Sequence, residues 1–127
     1  MVTKQERAEE LIEAMRKKRG YLYAEWEFAA RLDPEFMQVY DALYERAAGD
    51  GEALPAKYKE LAAMAILAFR GEQESLRNHI QRALKLGLTK QEILEAFQAA
   101  MVPGGAVTFL HGLRALYALE REEQPGA

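Results

Sequence analysis

The chain contains no cysteine. That single absence excludes disulfides, thiolate metal centres and peroxide reduction by a thiol. A dominant charge is missing too: 17 Lys and Arg stand against 20 Asp and Glu, for a net charge of −3, with both signs interspersed. A nucleic-acid surface needs a basic stripe, so no nucleic-acid partner is expected. Long apolar runs are absent as well. The longest, Leu61 to Phe69, falls far short of the ~20 residues that span a bilayer, so no membrane association is expected. Met1 to Arg19 is charged and amphipathic, without the apolar centre of a signal peptide, and the expected location is the cytoplasm. Strand-like alternation, short internal repeats and low-complexity tracts do not occur either.

What remains is a helical composition. Half of the 127 residues are hydrophobic, and Ala, Leu, Glu, Arg and Lys dominate, all good helix formers. The length suits one domain with a real core, and residues 1–127 are read as one. Ala8, Leu11, Ile12 and Met15 recur at helical spacing before the basic run Arg16 to Arg19 and Gly20, a cationic end with a glycine stop. A second helix is expected over Tyr21 to Arg31. Asp33-Pro34 is a start signal, an N-cap followed by proline at the first helical position, for a third helix that ends at Gly49-Asp50-Gly51.

Pro55 opens a fourth helix running to about Arg70. It is apolar on nearly every side from Leu61 onward, so burial all round is expected. A fifth helix covers about Gln73 to Leu86 before Gly87. Thr89 with Glu92 forms a capping box for a sixth, which Pro103-Gly104-Gly105 is expected to break. The last helix runs from Val107 to about Glu120, and Gln124 to Ala127 reads as a frayed tail. The fold class is therefore all-α, a bundle of about seven helices. Its aromatic and apolar surface exceeds what one small bundle hides, which points to a homo-oligomer.

Two residues carry the best evidence of chemistry. Glu60 stands at the mouth of the apolar fourth helix, and His79 lies on the fifth. A lone glutamate near a helix start is ordinarily solvated and favoured by the helix dipole. Next to a fully apolar run, however, it is expected to be partly buried, and a buried carboxylate needs a partner. If His79 is that partner, the two form an acid–base pair able to move a proton near neutral pH. Glu72, seven residues before His79, shares its helical stripe. The plain reading of His79 is a half-buried histidine satisfied by a carboxylate. Glu72 and Glu74 are most simply an exposed acidic helix start, and Ser75 a residue that caps or solvates that turn.

His111, among Phe109, Leu110 and Leu113, reads as a packing or interface residue. Gly104-Gly105 is a bend between helices, or an exposed helix N-terminus whose N–H groups can hold a carboxylate. Two histidines with Glu60 and Glu72 could in principle ligate a metal, but no His-x-x-x-His pair exists and no metal is expected. Lys57, Lys59, Arg70, Arg77, Arg82 and Arg114 are mostly solvated surface, from which one or two could neutralise an anionic substrate.

Leu54-Pro55, Lys59-Glu60-Leu61, Leu76-Arg77-Asn78-His79, Ala83-Leu84 with Gly87, Thr89 with Glu92-Ile93 and Glu95, Gly105, and Leu113-Arg114-Ala115 occur together in order. This stretch, 54–115, resembles the carboxymuconolactone decarboxylase family, which includes the alkylhydroperoxidase D-like proteins. The resemblance implies a hexamer or trimer, with His79 and Glu60 as catalytic residues and a small anionic molecule as ligand. It gives Glu72 and Ser75 a place in the substrate site, because they stand where the peroxidase branch carries its Cys-x-x-Cys pair. His111 and Gly105 join them through the family's pocket-lining last helix. Val107 replaces the family's usual proline, and His111 its usual small or amide residue.

The implied activity is a cofactor-independent lyase acting on a small lactone or keto acid. The alternative is a non-catalytic member that binds a ligand through the same pocket. Loss of His79 should abolish turnover in the first case and leave nothing to abolish in the second.

Overall fold

The computed structural model describes residues 1–123; the expected tail at Gln124 to Ala127 lies outside them. Among the described residues there are seven helices and no strand. None of these helices is long and apolar enough to cross a membrane. The helices fall into two compact units, Met1–Gly49 and Asp50–Ala127.

The first unit holds α1 (Lys4–Arg19), α2 (Ala24–Leu32) and α3 (Pro34–Ala48). Thr3 caps α1 by accepting from the Glu6 amide, and Gly20 ends it at φ +78°, a backbone angle that only glycine adopts freely. Helix α2 starts later than the expected Tyr21. The glycine reversal leaves residues 21–23 outside any helix, Tyr23 being extended, with the Tyr21 and Tyr23 rings 5.5 Å apart. Burial pushes the Tyr21 phenol well above its usual range, with neighbouring Tyr44 and Tyr23 adding to the shift. Asp33 caps α3 by accepting from the Phe36 amide, with Pro34 as the first helical residue.

Ile12, Met15, Ala30 and Met37 form this unit's core, flanked by Trp26 stacked on Tyr40 at 5.1 Å. Asp41 is buried and accepts from Lys18 at 3.1 Å and Arg19 at 2.9 Å. The Arg19 guanidinium also lies 4.0 Å over the Tyr44 ring.

The second unit holds α4 (Ala56–Arg70), α5 (Gln73–Lys85), α6 (Lys90–Gly104) and α7 (Ala106–Glu123). Its core combines Met64, Ala68, Leu76, Ile80, Ala83, Leu88, Ile93, Phe97, Ala115 and Leu119. Helix α4 packs against α5, α6 and α7. The expectation that α4 is buried all round is corrected. Ala56, Glu60, Met64 and Ala68 are buried, a single stripe at four-residue spacing, while Ile66 is 59% and Phe69 64% exposed. The neighbouring helices cover only one side of α4, and its apolar run continues over the other.

Gly71 closes α4 at φ +73°. The capping box at Thr89 and Glu92 opens α6 with both reciprocal hydrogen bonds formed. Pro103 does not break α6, which continues through Gly104. Proline's fixed φ is compatible with helix, and its missing N–H costs α6 one i→i−4 hydrogen bond, the one to the Ala99 carbonyl. The reversal comes at Gly105, φ +90°. Helices α6 and α7 approach closely where a Cβ on Gly112 would lie 2.4 Å from Cγ of Phe97.

Candidate functional site

Glu60 occupies an inward position on α4, four residues from both Ala56 and Met64, and only 2% of its side chain is exposed. It lies in the second turn of the helix, past the reach of the free N-terminal amides. Its charge is balanced by side chains of α5 instead. His79 Nδ1 lies 2.6 Å from Glu60 Oε2. Arg82 Nη1 donates to Oε1 of the same carboxylate.

His79 and Arg82 are three residues apart on α5 and so share one face. Each immediately precedes a core residue, Ile80 or Ala83, both fully buried. The α5 core stripe thus carries a margin of hydrogen-bond donors that faces α4. The exposed fractions of these side chains, 16% for His79 and 29% for Arg82, place the cluster at the rim of the core.

Withdrawing a carboxylate from water costs several kcal/mol, and two charge-assisted hydrogen bonds from α5 offset that cost. An ionised carboxylate only accepts hydrogen bonds, so the proton of the short contact sits on His79 Nδ1. The ring's other nitrogen, Nε2, is left as its exchangeable site. A histidine anchored through one nitrogen can accept or donate a proton at the other without changing its orientation.

The remaining candidates are arranged differently. Glu72 is the exposed N-cap residue of α5, without a side-chain capping hydrogen bond; its backbone carbonyl accepts from Leu76 at 2.9 Å. Ser75 is half-buried in the first turn of α5.

His111 Nδ1 lies 2.7 Å from the Ala68 carbonyl, to which it donates, since a carbonyl only accepts. Gln73 returns a bond from Nε2 to the His111 carbonyl at 3.0 Å. The His111 ring fills the space beside Gly71, where a Cβ would come within 3.1 Å of Cε1. His111 is therefore tied to the C-terminal end of α4, about 12 Å of helix rise beyond Glu60. Gly105 serves the α6–α7 reversal, its amide bonded to Met101 O at 2.7 Å. Among the described residues, no three His, Asp or Glu side chains are grouped to hold a metal ion.

Of the basic residues read as surface, Arg82 is the exception, bound to the buried carboxylate. Arg77 pairs with Glu122 on α7, Lys57 lies over the Tyr58 ring, and Arg70 and Arg114 are exposed. The signal for Arg82 was its spacing from His79: a buried anion beside a helix that offers two donors three residues apart can take both.

The fold corresponds to a known class of small helical proteins. The chain belongs to the carboxymuconolactone decarboxylase family, whose profile matches residues 34–118. It is a member without the cysteine pair, because it has no cysteine. A candidate carboxymuconolactone decarboxylase from Burkholderia xenovorans LB400 has the same fold, with a TM-score of 0.74 and 23% identity over 95% of this chain and 96% of that one. A carboxymuconolactone decarboxylase family protein from Legionella pneumophila is 27% identical over 90% of this chain and 95% of its own, with a TM-score of 0.67. No curated protein matches the chain.

Proposed function

We propose that the protein is a cofactor-independent acid–base lyase that removes CO₂ from a small anionic lactone or keto acid. The observation that carries this reading is the 2.6 Å contact between His79 Nδ1 and Glu60 Oε2, made at the rim of the core with Nε2 left over. In such a reaction the bond to the departing carboxylate breaks, and its electron pair delocalises into the substrate's own carbonyl as an enolate. His79 then delivers a proton from Nε2 to carbon, and Glu60 holds the ring in place while the charge changes. The substrate supplies the electron sink, so the scheme needs no other group. Donors lining the site stabilise the enolate oxygen. Glu72, Ser75, His111 and Gly105 are proposed substrate contacts on the family pattern alone.

The working form is proposed to be a cytoplasmic homo-oligomer, a hexamer or trimer. Each unit presents large apolar side chains to solvent. Phe36, Val39 and Leu43 are exposed along α3, and Ile66 and Phe69 along α4. Contiguous apolar surface of this kind is a common mark of subunit contact. Light scattering on the purified chain reads the subunit number directly, and a monodisperse monomer removes this part of the proposal.

The chemical test is release of CO₂ from carboxymuconolactone and related lactone or keto acids, followed in the purified chain and in His79→Ala. Turnover in the first and its loss in the second, with helicity and assembly retained, is the expected result. Equal turnover in both proteins would remove His79 from the chemistry. No turnover with any substrate, together with saturable binding, would favour the ligand-binding alternative.

A further inference from the structure

Arg82 is the part of the cluster that neither the acid–base reading nor the family resemblance accounts for. A histidine bound to an undivided, buried carboxylate is held as the imidazolium, because the whole negative charge faces one ring. Such a ring keeps its proton and returns it to carbon reluctantly. Here the carboxylate is shared: Oε2 faces His79 Nδ1 while Oε1 takes the bond from Arg82 Nη1. A guanidinium stays charged throughout the accessible pH range, so its share of the carboxylate is permanent.

Resting on the acid–base reading, we propose that Arg82 is a positioning residue that divides the charge of Glu60. It fixes the carboxylate so that one oxygen always faces Nδ1, and it withholds enough negative charge for the ring to lose and regain its proton at Nε2. Arg82 itself touches no reacting atom in this scheme. It acts on the imidazole through the carboxylate, from one helical turn away on the same face of α5.

The test needs no substrate. The chain has two histidines, so ¹⁵N NMR of the labelled full-length protein resolves both rings, and His111→Gln assigns them. The charge state of His79 is read at a series of neutral to mildly alkaline pH values. In Arg82→Gln the ratio of charged to neutral His79 ring should rise severalfold at a given pH, because the carboxylate now pairs with the imidazole alone. Arg82→Lys keeps the positive charge and should stay close to wild type. In a Glu60→Gln background the Arg82→Gln effect should disappear, since the carboxylate that transmits it is gone.

Arg82→Met keeps the apolar stem of the side chain and repeats the test if the glutamine variant does not fold. The proposal is overturned by an unchanged ring ratio in Arg82→Gln, by an equal change in Arg82→Lys, or by an effect that persists without the Glu60 carboxylate. Failure of both neutral variants to fold would make Arg82 a structural residue and overturn it too. Because this readout is independent of turnover, a chain that decarboxylates nothing can still pass it. A working decarboxylase can equally fail it.

Discussion

Removing Glu60 and removing His79 should have opposite relative effects on stability and on chemistry. Glu60→Ala leaves the partly buried groups Arg82 and His79 facing a void where their shared anion stood. Removing one partner of a buried ion pair costs about 3–5 kcal/mol. Arg82 and His79 retain 29% and 16% exposure, so water compensates part of the loss and places the cost near the lower end. His79→Ala is milder, because Arg82 still holds Oε1 of the carboxylate. One under-satisfied acceptor remains, worth about 1–2 kcal/mol.

Against a total stability of about 5–15 kcal/mol, both variants fold, but Glu60→Ala is the weaker by about 1–2 kcal/mol. Its melting temperature should fall by about 10 °C. Urea titration followed by far-UV circular dichroism is the appropriate assay. Trp26, the chain's one tryptophan, sits in the first unit and would report on the wrong helices. His79→Ala should lose all turnover despite being the more stable protein. If His79→Ala is destabilised as much as Glu60→Ala, or if Glu60→Ala costs under about 1 kcal/mol, the charge-sharing account of the cluster is wrong.

Three further outcomes are expected. Gly112→Ala should destabilise the second unit by about 1–3 kcal/mol, because the new Cβ meets Cγ of the fully buried Phe97 at 2.4 Å; a Phe97→Leu partner should recover part of the loss in urea midpoint. His111→Ala should cost about 1 kcal/mol by removing one of the two hydrogen bonds that the Ala68 carbonyl accepts, leaving the one from the Gly71 amide, read as a lower melting temperature with the His79 ring charge unchanged. Lys90, at the start of α6, bonds to Glu120 and Glu123 of α7, and the first of these does most to raise its pKa above 10.5. A raised folded-state lysine pKa gives stability that is complete below the unfolded value and lost as pH climbs through the folded one. The difference in urea midpoint between wild type and Lys90→Ala should therefore shrink at pH above that range, and also in high salt.

Most of the fold could be read from the sequence because its helix ends are marked by local chemistry. Asp33-Pro34 and the Thr89–Glu92 box each supply their own hydrogen bonds, so spacing alone locates them. Helix α4 was harder for the opposite reason. A run of nine apolar residues has no polar face from which to read orientation, so the stripe Ala56, Glu60, Met64 and Ala68 emerges only once neighbouring helices choose a side. Glu60 belongs to that stripe by spacing, and this marks it as inward even though the run beside it looks uniformly apolar.

Arg82 was missed because a basic residue near the end of an amphipathic helix nearly always faces water. What overrides that tendency is the buried charge on another helix, so the three-residue spacing from His79 becomes informative only once Glu60 is known to face α5. His111 shows the converse. Its apolar neighbours indicated packing, and its ring indeed closes the α4–α5 turn, with the carbonyl of Ala68 as its polar partner.

The loss of the cysteine pair takes on a definite meaning within this arrangement. The positions that resemble it, Glu72 and Ser75, lie at the N-terminal end of α5, while the contact to Glu60 is made from His79 and Arg82 further along the same helix. The two sets of positions therefore occupy different turns of one element. The carboxylate is held from a helix whose Leu76, Ile80 and Ala83 are fixed in the core. The imidazole is aimed from this stripe, so its placement follows from the core contacts of α5 rather than from the helix start.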